Sequence, residues 1–117
     1  MEADVDTAAR TEVAQSIAAS RACQAACEAS MQRLGAQGHA PTSEPVRLLR
    51  QCAELCALHA LALQRGSRLA RRTALLCGEL CSQVARASWL EPGEPARALA
   101  QVALEACRAA RPLTLRG

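Results

Sequence analysis

Aromatic side chains are almost absent from this chain, which has no Phe and no Tyr and carries Trp89 as its single aromatic residue. Strand-rich cores lean on aromatic and β-branched residues, so a β-sheet protein is excluded. Lysine is missing as well. Every basic residue is Arg, and the formal charge is only +3. The clusters Arg47 with Arg50, and Arg65 through Arg72, lack the aromatic interleaving and strong basicity of a nucleic-acid surface. They read as solvated outer faces of helices. No apolar run reaches the roughly 18 residues of a membrane span. The opening MEADVDTAAR is acidic and has no apolar core of a secretory signal. No nucleic-acid and no membrane partner is expected, and a cytoplasmic location is. Also missing are a phosphate-cradling glycine loop, paired carboxylates on an inward face and a Cys-His nucleophile pair, so the chain does not read as an enzyme.

What the chain does have is small apolar residues and sulfur. Half of its 117 residues are apolar, and without aromatics they are chiefly Ala, Leu, Val and Cys. Ala and Leu lead the helix-propensity scale. The expectation is an all-α fold, one antiparallel up-down-up-down four-helix bundle spanning residues 1–117 as a single domain.

Seven cysteines are present, and six fall in pairs spaced i, i+4: Cys23 with Cys27, Cys52 with Cys56, and Cys77 with Cys81. Residues four apart share a helix face, so each pair presents two thiols side by side. Such positions do not suit a disulfide within one helix. In a reducing compartment, seven cysteines point to metal or redox chemistry before structural bridges.

Capping signals divide the chain into helices over about 6–34, 44–65, 67–89 and 95–111. Asp6 serves as a first cap, and Gly35 and Gly38 stop the first helix. Ser43 and Pro45 open the second helix, while Gly66 and Ser67 make a tight connection to the third. Pro95 opens the last helix and Pro112 ends it. The inward stripes take in Ser20, Cys23 and Cys27; Leu49, Cys52, Cys56 and His59; Thr73, Cys77, Cys81 and Val84; and Leu99, Ala106, Cys107 and Ala110. His39, in a loop, reads as solvated. Gly78 sits between two cysteines at a cost of about 1 kcal/mol relative to Ala.

Alternating helix directions allow depth to be counted from the end formed by Leu34, Pro45, Ser88 and Pro95. Cys27, Cys52 and Cys81 come out roughly 10 Å deep, and Cys23, Cys56, Cys77 and Cys107 roughly 17 Å deep. His59 follows about one turn further along. Seven thiols from four helices are thus expected to meet in two adjacent layers. Free cysteine also packs as a small hydrophobe, but packing alone does not require the registers to agree.

A dry, all-sulfur site suits Cu(I), with Zn(II) and an iron-sulfur cluster as competitors. Structural zinc needs only four ligands, usually on turns, and iron-sulfur ligands usually come in closely spaced runs. The leading reading is a metal-binding protein for copper buffering, storage or transfer. The alternatives are an electron-transfer protein with an iron-sulfur cluster and a helical interaction module that has lost its metal.

The segments VRLLRQCAELC, RGSRLARRTALLCGELC, RACQAAC and EACRAA, carried on the four helices, resemble the bacterial cysteine-rich four-helix-bundle copper-storage proteins. The resemblance implies Cu(I) bound by cysteines lining the bundle, cytosolic members without an export signal, and homo-oligomers. It implies ligand roles for Cys23, Cys27, Cys52, Cys56, Cys77, Cys81 and Cys107. His59, on the same stripe, joins them as a candidate ligand. Family members usually carry further core cysteines where this chain has residues such as Ser16, Ser20, Ala74, Val84 and Ser88, so one compact cluster is expected rather than a filled tube.

Overall fold

A computed structural model describes residues 2–115, with side chains from residue 7 onward. It is all-α. Four helices, α1 (Glu2–Ala36), α2 (Glu44–Gln64), α3 (Ala70–Trp89) and α4 (Glu94–Thr114), form a bundle with no strand among the described residues. No helix of the described residues is long and apolar enough to cross a membrane.

The helix ends follow from backbone chemistry. Gly66 takes a left-handed φ of 61°, which lets the Ser67 N–H reach the carbonyl of Ala62 at 2.9 Å and satisfy the end of α2. Ser67 then accepts a hydrogen bond from the Leu69 N–H at 3.1 Å. It caps a turn, and α3 itself begins at Ala70 rather than at residue 67. Pro45 lies in the first turn of α2, where its missing N–H costs nothing.

Three further boundaries differ from the sequence expectation. α1 starts at Glu2, ahead of Asp6, whose side chain lies outside the described residues. At its other end α1 runs through Gly35, and the left-handed residue is Gly38, with φ 96°. There the His39 N–H bonds back to the Leu34 carbonyl at 3.0 Å. Pro112 does not end α4 but sits inside its last turn. So near the C-terminus only one intrahelical bond is forfeited.

Each helix packs on its sequence neighbours, and α4 closes the ring against α1. Leu34, Pro45, Ser88 and Ala96 line one cavity, so the C-terminal turns of α1 and α3 share an end with the N-terminal turns of α2 and α4. At the opposite end Ala74, Ala110 and Leu113 pack with Val13 and Leu63. Between these ends the interior is built from Cys, Ala, Val and Leu. Such small side chains let the helices approach closely and fill the middle of the bundle with sulfur.

Candidate metal centre

Cys23 and Cys27 on α1, Cys52 and Cys56 on α2, and Cys77 and Cys81 on α3 all have zero exposure. All of their sulfurs but that of Cys27 touch a neighbour on another helix. Cys23, Cys52 and Cys81 form a nearly equilateral triangle with edges of 3.9, 3.8 and 3.8 Å. Cys56, Cys77 and Cys81 form a second, with edges of 3.7, 3.7 and 3.9 Å. Cys81 belongs to both. An ion centred in either triangle would lie about 2.2 Å from each sulfur, close to the roughly 2.3 Å of a zinc–thiolate bond. The contact distance of neighbouring thiols therefore already has the size of a coordination site. All seven cysteines are free.

The layers differ in one respect from those counted along the sequence. Cys52 with Cys81 and Cys56 with Cys77 meet as expected, because the Gly66 turn fixes α2 against α3 tightly. Cys23 takes the place against Cys52 and Cys81 that the count along the chain gave to Cys27. In the same register Ser16 meets His59 at 3.2 Å. α1 is displaced by four residues, about one helical turn, because it overshoots Leu34 and the following loop folds back before α2 begins. Cys27 is buried one turn nearer the Leu34 end, its thiol interacting with Cys23 and Cys52.

Cys107 does not join the other six. It is half-buried and lines a groove between α3 and α4 with Ala74, Gly78, Ala110 and Arg111. The neighbouring Ala106 takes the fully buried position. A rotation of α4 by one residue, about 100°, separates the two, and α4 faces the sulfur cluster with Ala103 and Ala106.

His59 has zero exposure, yet its ring nitrogens are engaged by hydroxyls rather than by sulfur. The Thr73 hydroxyl donates to the Ala70 carbonyl at 3.0 Å. It can therefore only accept from His59 Nδ1–H, at 2.7 Å. That leaves Nε2 to accept from the Ser16 hydroxyl. The expected proximity of His59 to the sulfurs thus becomes a polar layer closing the cluster on one side. Burial holds the imidazole below its usual pKa, with Cys77 opposing. Ser20, one turn from Ser16 on α1, has a buried hydroxyl without a hydrogen-bond partner of its own in the oxygen and nitrogen network, and its proximity helps to lower Cys77. The spacing of Ser16 and Ser20, in step with Cys23 and Cys27, is the sequence signal for this layer. Its pairing with His59 and Thr73 needed the α1 register.

The thiols share their protons unevenly. Cys27, Cys56 and Cys81 are pushed up, first of all by their contacts to Cys23. Cys23 is pulled down by Cys27 and then by Cys52, Cys56 and Cys81. Cys77 is held at about 4 by the thiols of Cys56 and Cys81. For Cys52 an upward push from Cys23 is outweighed by Cys27, Cys56 and Cys81, which leaves it at about 6. Thiolate is the form that ligates a soft cation, so binding one releases the protons that the cluster holds.

A family model described as "Csp: Copper storage protein" matches residues 9–112. No curated protein and no solved structure gives a significant match.

Proposed function

Because the chain belongs to the copper storage protein family, we propose that it is a Cu(I)-thiolate protein that buffers, stores or transfers copper in the cytoplasm without catalytic turnover. Two adjacent three-coordinate sites, Cys23/Cys52/Cys81 and Cys56/Cys77/Cys81, would be bridged by the Cys81 thiolate, with Cys27 beside them to hold or pass a further ion. The observation that carries this reading is the set of six fully buried thiols on three helices, five of them, Cys23, Cys52, Cys56, Cys77 and Cys81, linked by sulfur–sulfur contacts of 3.7 to 3.9 Å. Soft thiolates in a dry site favour Cu(I), and low coordination number lets one sulfur serve two ions. An iron-sulfur cluster is disfavoured, because iron and inorganic sulfide need room between the cysteines that sulfurs in contact do not leave. His59 acts as a structural plug, and Cys107 lies outside the copper site. Homo-oligomers belong to the same proposal, supported by the exposed apolar side chains of Trp89, Leu90 and Leu104.

The test is anaerobic titration of reduced protein with Cu(I) in competition with a chromogenic chelator, read with elemental analysis and non-denaturing mass spectrometry. At least two Cu(I) per chain are expected, and Cys81→Ser should lose both bridged ions while Cys107→Ser retains them. Failure to take Cu(I) from the chelator ends the proposal.

A further inference from the structure

The triangle Cys23/Cys52/Cys81 has a fourth sulfur close to it. Cys56 touches Cys81 at 3.7 Å, and the sulfurs of Cys23, Cys52, Cys56 and Cys81 all lie within 4.8 Å of one another. A regular tetrahedron around an ion with metal–sulfur bonds of about 2.3 Å has edges of about 3.8 Å. Four of the six edges here measure 3.7 to 3.9 Å. The two remaining edges, both from Cys56, lie within the 4.8 Å limit. Closing them shortens each by at most about 1 Å.

The geometry points to a second cargo: a single divalent thiophilic cation of the zinc class, held tetrahedrally by Cys23, Cys52, Cys56 and Cys81. This inference shares the buried thiols of the copper reading but does not require that copper binds. A filled-shell ion such as Zn(II) has no ligand-field preference of its own and accepts whatever four sulfurs are offered. The i, i+4 pair Cys52 and Cys56 supplies a chelate from α2, and α1 and α3 supply one sulfur each. All four side chains have zero exposure. The site is closed, which is the form of a structural rather than a catalytic zinc centre.

The two cargoes exclude each other. A divalent ion takes four sulfurs and leaves Cys77 and Cys27 idle, whereas the paired Cu(I) sites need Cys77 and divide the same four sulfurs between two ions. The chain is therefore built to exchange one divalent ion for two monovalent ones on a shared set of thiolates.

Cobalt(II) serves as the optical probe, added anaerobically to the reduced full-length chain. One Co(II) per chain is expected, with the intense visible bands of tetrahedral tetrathiolate cobalt. One equivalent of Zn(II) should bleach them, as should Cu(I). Cys23→Ser and Cys52→Ser should each abolish the bands, and circular dichroism checks that each variant is folded. Cys27→Ser, Cys77→Ser and Cys107→Ser should keep them. Where one loss variant fails to fold, the other decides, and the three retention variants test the assignment independently. Absence of tetrahedral bands in the wild type overturns the inference, as does their loss in Cys77→Ser or their survival in folded Cys23→Ser or Cys52→Ser. A chain that takes Cu(I) but not Co(II) or Zn(II) refutes this inference alone. One that takes one Co(II) but no Cu(I) refutes the copper reading alone.

Discussion

His59 and Cys107 show how much a single residue's surroundings decide. On the buried stripe His59 has the position of a ligand, but Ser16 and Thr73 engage both ring nitrogens, so the ring stays neutral. Burial holds its folded pKa below the ordinary 6.5. The unfolded chain therefore binds this proton more readily than the folded one. The associated stability is fully present above pH 6.5 and is lost as the pH falls from there to the lower folded value. Metal-free protein should melt at progressively lower temperature below that pH, and His59→Gln should flatten this dependence. An unchanged slope in the variant, followed by circular dichroism, would assign the loss to other groups. Cys107 is the one half-buried thiol beside six with zero exposure. Alkylation of the native reduced protein, with mass spectrometry over time, should add one label quickly at Cys107 and the other six only when the chain opens.

At the scale of the helix, Gly78 allows a direct test of what the sequence meant. A glycine between two cysteines suggests either that a neighbour needs the space or that the position has simply drifted. A Cβ added there would meet only the Ala110 Cβ, at 3.9 Å, which is ordinary contact. Space is not the reason. Gly78→Ala should therefore stabilise the protein by about 1 kcal/mol through helix propensity alone, measured by urea denaturation. A destabilised variant would show that α3 and α4 pack more tightly than this distance allows. The same helices show what the sequence could and could not disclose. Helix identity was legible because Ala, Leu, proline at the helix starts and left-handed glycines all act locally. The α2–α3 register was legible because the Gly66 connection leaves no slack. The α1–α2 register was not, since a longer loop let α1 overshoot by a turn and exchanged Cys27 for Cys23 opposite Cys52. The rotation of α4 was hidden for another reason. With Ala103, Ala106, Ala109 and Ala110 spread around much of its circumference, several faces are small enough to pack inward. Contact with α3 and α1 selected Ala106 over Cys107.

For the molecule as a whole, the distribution of thiols makes the bundle mechanically uneven. α1, α2 and α3 each carry two fully buried thiols, while the one cysteine of α4, Cys107, packs against this core from its half-buried edge without a sulfur–sulfur contact. An ion shared by three helices resists any motion that separates them, since opening would break metal–sulfur bonds. α4 is held only by packing of Leu99, Ala103, Ala106 and Ala110 against its neighbours, together with contacts such as Arg71 Nε–H to the Thr114 carbonyl at 2.9 Å. It can swing away without breaking a coordinate bond. Native proteins open in parts, and each part has its own free energy. Metal binding raises only those openings that cost ligands. Hydrogen exchange on the metal-free and Cu(I)-loaded protein should therefore show amides in the middle of α1, α2 and α3 slowing by several orders of magnitude. Amides of α4 that exchange by local detachment should slow far less. If Cys107 were a ligand in solution, α4 would be stapled with the rest and its amides would slow equally. The exchange pattern along α4 thus decides whether the copper site has three walls or four.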